Sequence, residues 1–396
     1  MHELRVLAGL AMAAGAALYA LLAAGVMGRM RRSAAAAAAS PVASSATLTP
    51  VTLLKPLCGA EPGLEDLLAS FCRQDYPCMQ ILFGVRAHED PAVAVVSRLQ
   101  ARFPALDIEL VIDPALHGCN HKVSNLINML PRARHPWLVL ADSDIRVPQD
   151  YLSRVSSVLS NPRIGLVTCP YLGVSVTSAG SAGRTTAASR LGAMFINEWF
   201  MPSVLLAAAF GSRSYVSGAT IALRREVLSA VGGFAALADT LADDHRLGRL
   251  VRRQGLKVHL SDVAVETMVA EPTFGALCRH ELRWLATIQS VQPLGFACCF
   301  PTFGLPMAFT GAALAAFNPT ALVLLGITAA ARLVLHYFGV PAADRGRRSG
   351  FRLLALLPAR DALLVALWAA SFCNREIVWR EQRFGVGQDG SLHRIG

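Results

Sequence analysis

The sequence predicts an α/β domain with a mostly parallel sheet, carried by membrane-spanning helices at both ends of the chain. Three observations predict it. Between residues 49 and 271, short apolar runs alternate with segments of helical spacing, and strands alternating with helices imply parallel strands joined by crossovers. Residues 6–28 run without a charge, and about 20 such residues cross a bilayer. The 396-residue chain is 54% hydrophobic yet carries a net charge of +10, a pairing expected where arginines flank membrane segments.

Residues 1–32 are expected to be the first membrane anchor. The apolar run is too long for the core of a signal peptide. Arg29, Arg31 and Arg32 follow it against Arg5 before it, so the positive-inside rule places the N-terminus outside and the rest of the chain in the cytoplasm. Residues 33–48 are Ala/Ser-rich and read as a linker or a continued helix.

Residues 49–293 are the expected cytoplasmic α/β domain. VTLLKPL, QILFGVRA, DIELVID and PWLVLADSD read as strands. LEDLLASF, AVAVVSRLQARF and KVSNLINML read as the helices between them. Ligands of such sheets bind beyond the carboxyl ends of the strands, and residues 55–59, 88–90 and 142–144 fall at such ends. The stretch 183–210 is an apolar insertion, either a buried core helix or a surface helix that dips into the bilayer and admits a lipid. Asn197 and Glu198 are its polar exceptions and candidates for contact with such a lipid.

Residues 294–396 are the expected C-terminal membrane region, with spans at 294–317 and 320–340. Arg345, Arg347, Arg348 and Arg352 then mark a cytoplasmic loop. The run 353–373 contains Pro358, Arg360 and Asp361 and is followed by Arg375, Arg380 and Arg383. Charges in mid-membrane are costly, so a re-entrant pair and a third span both stay open. The nine cysteines include no C-x-x-C pair and read as reduced thiols.

The chemistry begins in WLVLADSDIRV. Asp142 and Asp144 end an apolar strand one residue apart. Residues i and i+2 of a strand share a face, and two converging carboxylates repel unless a cation sits between them. A hard divalent cation takes oxygen ligands and keeps places for water and phosphate. A pair of solvated loop aspartates is the plain alternative.

With that pair in hand, other motifs align. LLKPLCGAEPGLEDLLASFCRQDYP, AHEDPA, GCNHKVSNLINM, ADSDIRV, SGATIALRREVL, LADDHRLG and HELRW occur in this order between residues 51 and 284. In these the chain resembles the inverting glycosyltransferases of families 2 and 21. More closely it resembles the ceramide glucosyltransferase-like family and its bacterial relatives associated with hopanoid biosynthesis. GCNHKVSNLINML and FINEWFMPS point to the hopanoid branch. The resemblance implies a GT-A catalytic fold. It implies transfer of one sugar from a UDP-sugar, UDP-N-acetylglucosamine in that branch, to a polyol hopanoid hydroxyl, assisted by Mg²⁺ or Mn²⁺. Ceramide with UDP-glucose is the alternative. It also implies a multi-pass protein of the bacterial inner membrane.

By the same resemblance Pro56, Leu57, Asp90, Lys122 and Asp142 bind the UDP-sugar. Asp142 and Asp144 hold the metal, with Asp144 the more direct ligand; the animal enzymes carry Gly at that position. Asp244 is the base that takes the acceptor's proton. His280, Arg283 and Trp284 share one helix face, with Arg283 on the diphosphate and Trp284 under sugar or acceptor. His280 stands where the family has Gln or Arg, which leaves its role as a diphosphate donor to be tested. A basic interfacial helix with a Trp anchor is the plain reading of the same segment.

Three other classes fit the sequence less well. A processive polysaccharide synthase shares the D-x-D and Trp motifs but needs more membrane helices. A non-enzymatic membrane scaffold is disfavoured because Asp142, Asp244 and Arg283 are all present. Nucleic-acid binding finds no basic–aromatic stripe.

Overall fold

The computed structural model describes residues 1–39, 48–176, 185–212, 216–340, 354–373, 376–379, 382–387 and 392–394. The arginines at 345, 347, 348, 352, 375 and 380 lie outside the described residues. The chain divides into two compact units.

One unit comprises Ala36–Tyr171, Arg213–Met268 and Glu381–Gly396. The strands of the chain through this region are β1 (Val51–Pro56), β2 (Met79–Val85), β3 (Asp107–Ile112), β4 (Trp137–Ala141), β5 (Ile145–Arg146), β6 (Ile164–Thr168), β7 (Tyr171–Ser175), β8 (Thr220–Arg224), β9 (Lys257–Leu260) and β10 (Val265–Val269). Seven of them form one sheet in the order β3-β2-β1-β4-β8-β6-β9. β1 runs parallel to β2 and β4, β2 to β3, and β6 to β9. Only β8 is reversed, antiparallel to both β4 and β6. Every residue of β2 is buried, as a strand covered on both faces requires. That is why MQILFGV reads as a continuous apolar run rather than an alternation.

The crossover helices bury one face each. Leu64–Cys72, Ala92–Arg102 and His121–Met129 supply them. The last is started by Asn120, whose side chain accepts from Val123 N at 3.1 Å, an N-cap that removes one orphan amide. Its Val123 and Leu126 join Leu54, Leu82, Leu140, Leu223, Phe234 and Leu247 in the main core. After β1 the chain winds outward to β2 and β3, while β4 returns on the other side of β1. The carboxyl ends of β1 and β4 therefore flank the switch point, where such sheets open a crevice.

The other unit comprises Met1–Ala35, Leu172–Ser212 and Val269–Arg380. Among the described residues, three helices are long and apolar enough to cross a membrane: His2–Ala37, Ala187–Ala209 and Pro319–Gly339. The protein is a membrane protein with transmembrane helices. The stretch around residue 200, read as an insertion into the α/β domain, belongs to this unit. It is continuous across a π-helical turn at Ile196–Phe200.

The segment 294–317, expected to be a single span, differs. It folds as Pro293–Ala297, a 3₁₀ turn at Phe300–Thr302 and Gly304–Leu314. Pro301 and Pro306 explain the interruption, because inside a continuous helix each would remove a backbone donor from the ladder. Helices here approach closely through small residues. A Cβ on Gly9 would stand 2.5 Å from Gly311 O, and one on Gly311 would stand 2.6 Å from Gly9 O. Such contact is a common way for membrane helices to pack. Arg31 Nε donates to Phe338 O at 2.9 Å and its Nη2 to Val340 O at 3.1 Å. The first helix thereby caps the last turn of Pro319–Gly339, whose carbonyls have no partner within the helix.

Charges inside this unit are paired. Arg332 donates from Nη2 to Asp361 at 2.9 Å and from Nη1 to Glu198 at 2.5 Å. Glu198 also meets His336 Nδ1 at 2.6 Å. Arg360 grips Glu281 with two bonds of 2.7 and 2.8 Å. The helix Leu357–Ser371 that carries Arg360 and Asp361 has 15 residues, a rise of about 22 Å, short of the roughly 30 Å hydrocarbon layer.

Candidate active site

In the α/β unit the carboxyl ends of β1, β2 and β4 gather the predicted residues. β4 stops at Ala141, and the aspartates sit on the turn after it rather than on the strand. Their proximity therefore comes from the turn, not from the strand alternation first invoked. The turn is held at both sides. Asp142 N donates to Ala219 O at 3.2 Å, and Met268 N donates to Asp144 O at 3.0 Å. Thr267, on β10, donates its hydroxyl to Asp144 Oδ2 at 2.6 Å.

Two lysines attend Asp142. Lys55, next to last in β1, is fully buried. Its Nζ donates to Asp142 O at 2.8 Å and lies 3.7 Å from the centre of the Phe71 ring. Lys122 opens its helix with Nζ 2.7 Å from Asp142 Oδ1 and 3.6 Å from Asp243 Oδ2. Sequence reasoning placed Lys122 on the nucleotide. In the structure it pairs with the carboxylates of two separate motifs.

Asp243 and Asp244 begin the helix Asp243–Arg253. Negative charge is favoured there by the helix dipole. Asp244 Oδ1 accepts from His245 N at 2.6 Å. Space for its other oxygen comes from Gly218: a Cβ at that position would lie 2.9 Å from Asp244 Oδ2.

The electrostatics follow from burial and crowding. Burial pushes the Asp244 carboxyl up, Asp243 adds to the push and Lys122 opposes it, for a value of about 7. Asp144 is pushed up to about 6 by burial, then by Asp142 and Glu61. Burial brings Lys55 down to about 7 against the pull of Asp142. Burial also works against the Lys122 charge, but Asp142 and Asp243 outweigh it and hold the ammonium above its ordinary range.

Asp90 fastens a loop. Gly59 N donates to both its oxygens, at 2.9 and 3.1 Å, and Ala92 N to Oδ1 at 2.9 Å. Gly59 has φ of 75°, a left-handed turn that glycine adopts at no steric cost. Pro56 is half-buried at the end of β1. The Leu57 side chain is buried, and its N–H is spent on Gly84 O at 2.8 Å. Leu57 can therefore shape a nucleotide pocket only from beneath.

The comparisons with known proteins agree with this geometry. The family model described as glycosyl transferase family 21 matches residues 12–392. The chain belongs to glycosyl transferase family 21. The family 21 chain is 26% identical to ceramide glucosyltransferase 3 of Caenorhabditis elegans over 377 residues, covering 89% of this chain and 76% of that protein. It is 25% identical to ceramide glucosyltransferase 1 of the same organism, covering 64% of this chain but about half, 52%, of that protein. Among solved structures, a mannosyltransferase from Pyrobaculum calidifontis in complex with GDP-Man and Mn²⁺ superposes with a TM-score of 0.51. It is 22% identical, covering 94% of this chain and 99% of that one. The fold is the GT-A type.

The donor set of this family 21 transferase fits a divalent cation of a particular kind. Among the described residues no group of three or more His, Cys, Asp or Glu side chains could enclose a metal. Asp142 and Asp144 offer two carboxylates close enough to act together, since the Asp144 carboxyl is raised first by burial and then by Asp142 and Glu61. Mg²⁺ and Mn²⁺ suit a shell of few carboxylates completed by water and phosphate.

The HELRW residues lie on the helix Phe274–Val291 of the membrane unit. His280 Nδ1 meets Glu271 Oε1 at 2.6 Å. The expected shared face is partly seen, with the His280 and Trp284 rings edge-to-face at 5.4 Å. Trp284 also packs against Phe195 and Phe200, at 5.9 and 5.6 Å between ring centres. Arg283 is half-buried on the same helix. Glu281, within the motif, is the partner of Arg360. Asn197 holds the Gly173 backbone from both ends of its amide, at 2.7 and 2.8 Å, and Glu198 belongs to the Arg332 cluster. Both are spent on structure rather than held out for a lipid.

Sequence reasoning missed Glu271, Thr267 and Gly218. Thr267 touches Asp144 from 123 residues away, Gly218 faces Asp244, and Glu271 reaches His280 from just before its helix; no motif spacing announces these contacts.

Proposed function

We propose that the chain is an inverting transferase that moves one sugar from a UDP-sugar to the hydroxyl of a membrane lipid on the cytoplasmic face of a bacterial inner membrane. The observation that carries this reading is the Asp244 carboxyl. It is held near neutral pH at a helix start, in the same unit as the Lys122–Asp142 pair at the sheet's carboxyl edge.

Asp244, as the carboxylate, takes the proton of the acceptor hydroxyl as that oxygen attacks the anomeric carbon. A base poised near the working pH is well matched to this task. Inversion needs no second carboxylate as nucleophile. Asp142 and Asp144 would hold Mg²⁺ or Mn²⁺, which when bound supplies charge neutralisation for the departing diphosphate. Asp90 braces the Gly59 loop against which the uridine docks. Arg283, by family resemblance, pairs with the diphosphate. Trp284 forms an apolar platform with Phe195 and Phe200 for sugar or acceptor, and His280 donates to the diphosphate.

The curated relatives named above are ceramide glucosyltransferases. They favour glucose from UDP-glucose and a ceramide-type acceptor over the N-acetylglucosamine and polyol hopanoid suggested by GCNHKVSNLINML and FINEWFMPS. The hopanoid reading keeps second place on those motifs.

Product mass tests both. Detergent-solubilised protein, Mg²⁺ or Mn²⁺, and either UDP-glucose or UDP-N-acetylglucosamine are incubated with ceramide and with a polyol hopanoid, with Asp244→Asn as blank. A hexosylceramide made only by the active protein supports the reading. An N-acetylhexosaminyl hopanoid keeps the mechanism and reverses the acceptor. Release of UDP with no lipid product overturns lipid transfer. EDTA should abolish turnover, and added Mn²⁺ or Mg²⁺ should restore it.

A further inference from the structure

Lys122 stands where the proposed metal chemistry needs an open carboxylate. Its Nζ lies 2.7 Å from Asp142 Oδ1 and 3.6 Å from Asp243 Oδ2, and only 21% of its side chain is exposed. An ammonium so enclosed is a resident cation rather than a side chain swinging in solvent. A divalent ion binding Asp142 at about 2.1 Å would be pressed against it, and two cations on one carboxylate repel. Lys55 cannot relieve the conflict, because it is sealed beneath the turn against the Asp142 carbonyl and the Phe71 ring.

We propose that Lys122 is the counter-cation of Asp142, keeping that carboxylate closed to metal until a nucleoside diphosphate enters and offers the ammonium a new partner. This rests on the metal and donor reading above and deepens it. The diphosphate supplies oxygens for both cations, so Lys122 moves to a phosphate as Asp142 is released to the metal. Metal and donor then bind with strong mutual dependence, as linkage requires when one ligand removes the other's competitor. Lys122 also spans two motifs, joining the strand-end aspartate to the start of the helix that bears Asp244. The same exchange therefore loosens Asp243 from Lys122 as the donor arrives.

The competing account has Lys122 simply binding phosphate. The two accounts part in the absence of nucleotide: plain phosphate binding leaves metal affinity unchanged when Lys122 is replaced, whereas a counter-cation raises it on removal. Mn²⁺ binding to the solubilised full chain is measured by electron paramagnetic resonance, without and with UDP. Lys122→Met should bind Mn²⁺ at least about tenfold more tightly than the wild type without UDP, the scale of neighbours that tune a metal site. UDP should sharpen Mn²⁺ binding in the wild type far more than in Lys122→Met. Lys122→Arg keeps the charge and should stay close to the wild type. Lys122→Gln keeps a hydrogen-bond donor without charge, and asks the same question should the Met variant not fold.

Unchanged or weaker Mn²⁺ binding in the folded, charge-free variants overturns the counter-cation role while leaving the metal reading intact. Mn²⁺ binding that survives in Asp142→Asn/Asp144→Asn, or no binding by any form even with UDP, overturns the metal reading and this proposal with it.

Discussion

As the proposed base, Asp244 combines two properties that usually oppose each other: it is crowded by a neighbouring carboxylate, yet it must be ionised to act. In the proposed mechanism turnover requires its carboxylate form, and the carboxyl is pushed up to about 7. The pH profile of kcat/KM should therefore fall about tenfold per pH unit below about 7 and level off above it. Asp244→Asn should lower kcat by about 10²–10⁴-fold and remove that limb. The same shift acts on stability. A carboxyl raised from 3.8 to about 7 on folding binds its proton more tightly when folded. Stability is therefore lost as pH rises through this window. Asp244→Asn should raise Tm by about 2–4 °C at pH 8 and change it little at pH 4, by thermal unfolding of the two proteins at both pH values. Gly218→Ala tests the room made for this carboxylate. A methyl 2.9 Å from Asp244 Oδ2 must turn the base aside, so kcat should drop about 10–100-fold with a smaller effect on KM, since misplacement of a reacting group by about 1 Å has that cost. Asp142, Asp144 and Asp244 were legible because their motifs are local. Gly218 was quoted in SGAT without a role, because the atom that demands it lies 26 residues on.

At the scale of elements, the membrane unit shows how ionisable side chains fit among apolar helices. Arg332 sits on Pro319–Gly339 between Glu198, on the π-helical turn, and Asp361, on Leu357–Ser371. Three separate elements are joined by one guanidinium. Removing one member of a buried cluster leaves the others uncompensated, which costs about 3–5 kcal/mol. Arg332→Met should accordingly unfold at markedly lower temperature in detergent. Charge-neutral replacement of a whole pair is milder: Arg360→Met with Glu281→Gln should be less damaging than Arg360→Met alone, as thermal unfolding of the three proteins would register. These pairings account for a boundary that sequence reasoning left open. Arg360 and Asp361 in an apolar run argued against a simple span, but their partners lie 79 and 29 residues away. The parallel strands and crossover helices were legible because each element carries its own apolar pattern. The reversal of β8 was not, since TIALR reads the same in either direction.

Over the whole molecule, three sequence segments make the membrane unit and three make the α/β unit. Hydropathy found the helices at both ends, because uninterrupted apolar length needs no partner to be seen. It read residues 187–209 as part of the α/β domain, because position in the sequence was taken as position in the fold. The assignment to family 21 rests on residues 12–392, nearly the full chain, so the family motifs and the flanking helices belong to one description. Deleting residues 1–30 tests whether the first helix is only a tether. A tether would leave the rest folded. The close Gly9–Gly311 approach and the Tyr19–Ser203 hydroxyl pair at 3.0 Å predict instead a protein that aggregates on extraction, read by size-exclusion chromatography in detergent.

The capping of the helix Pro319–Gly339 by Arg31 sets a timetable for biosynthesis. The two partners are 307 residues apart. At 5–20 residues per second the ribosome takes roughly 15–60 s to travel from one to the other. Through that interval the first helix is already in the bilayer with its small-residue face unmatched. The nascent chain must therefore keep a glycine- and alanine-lined surface from meeting other membrane proteins until its own last helices arrive.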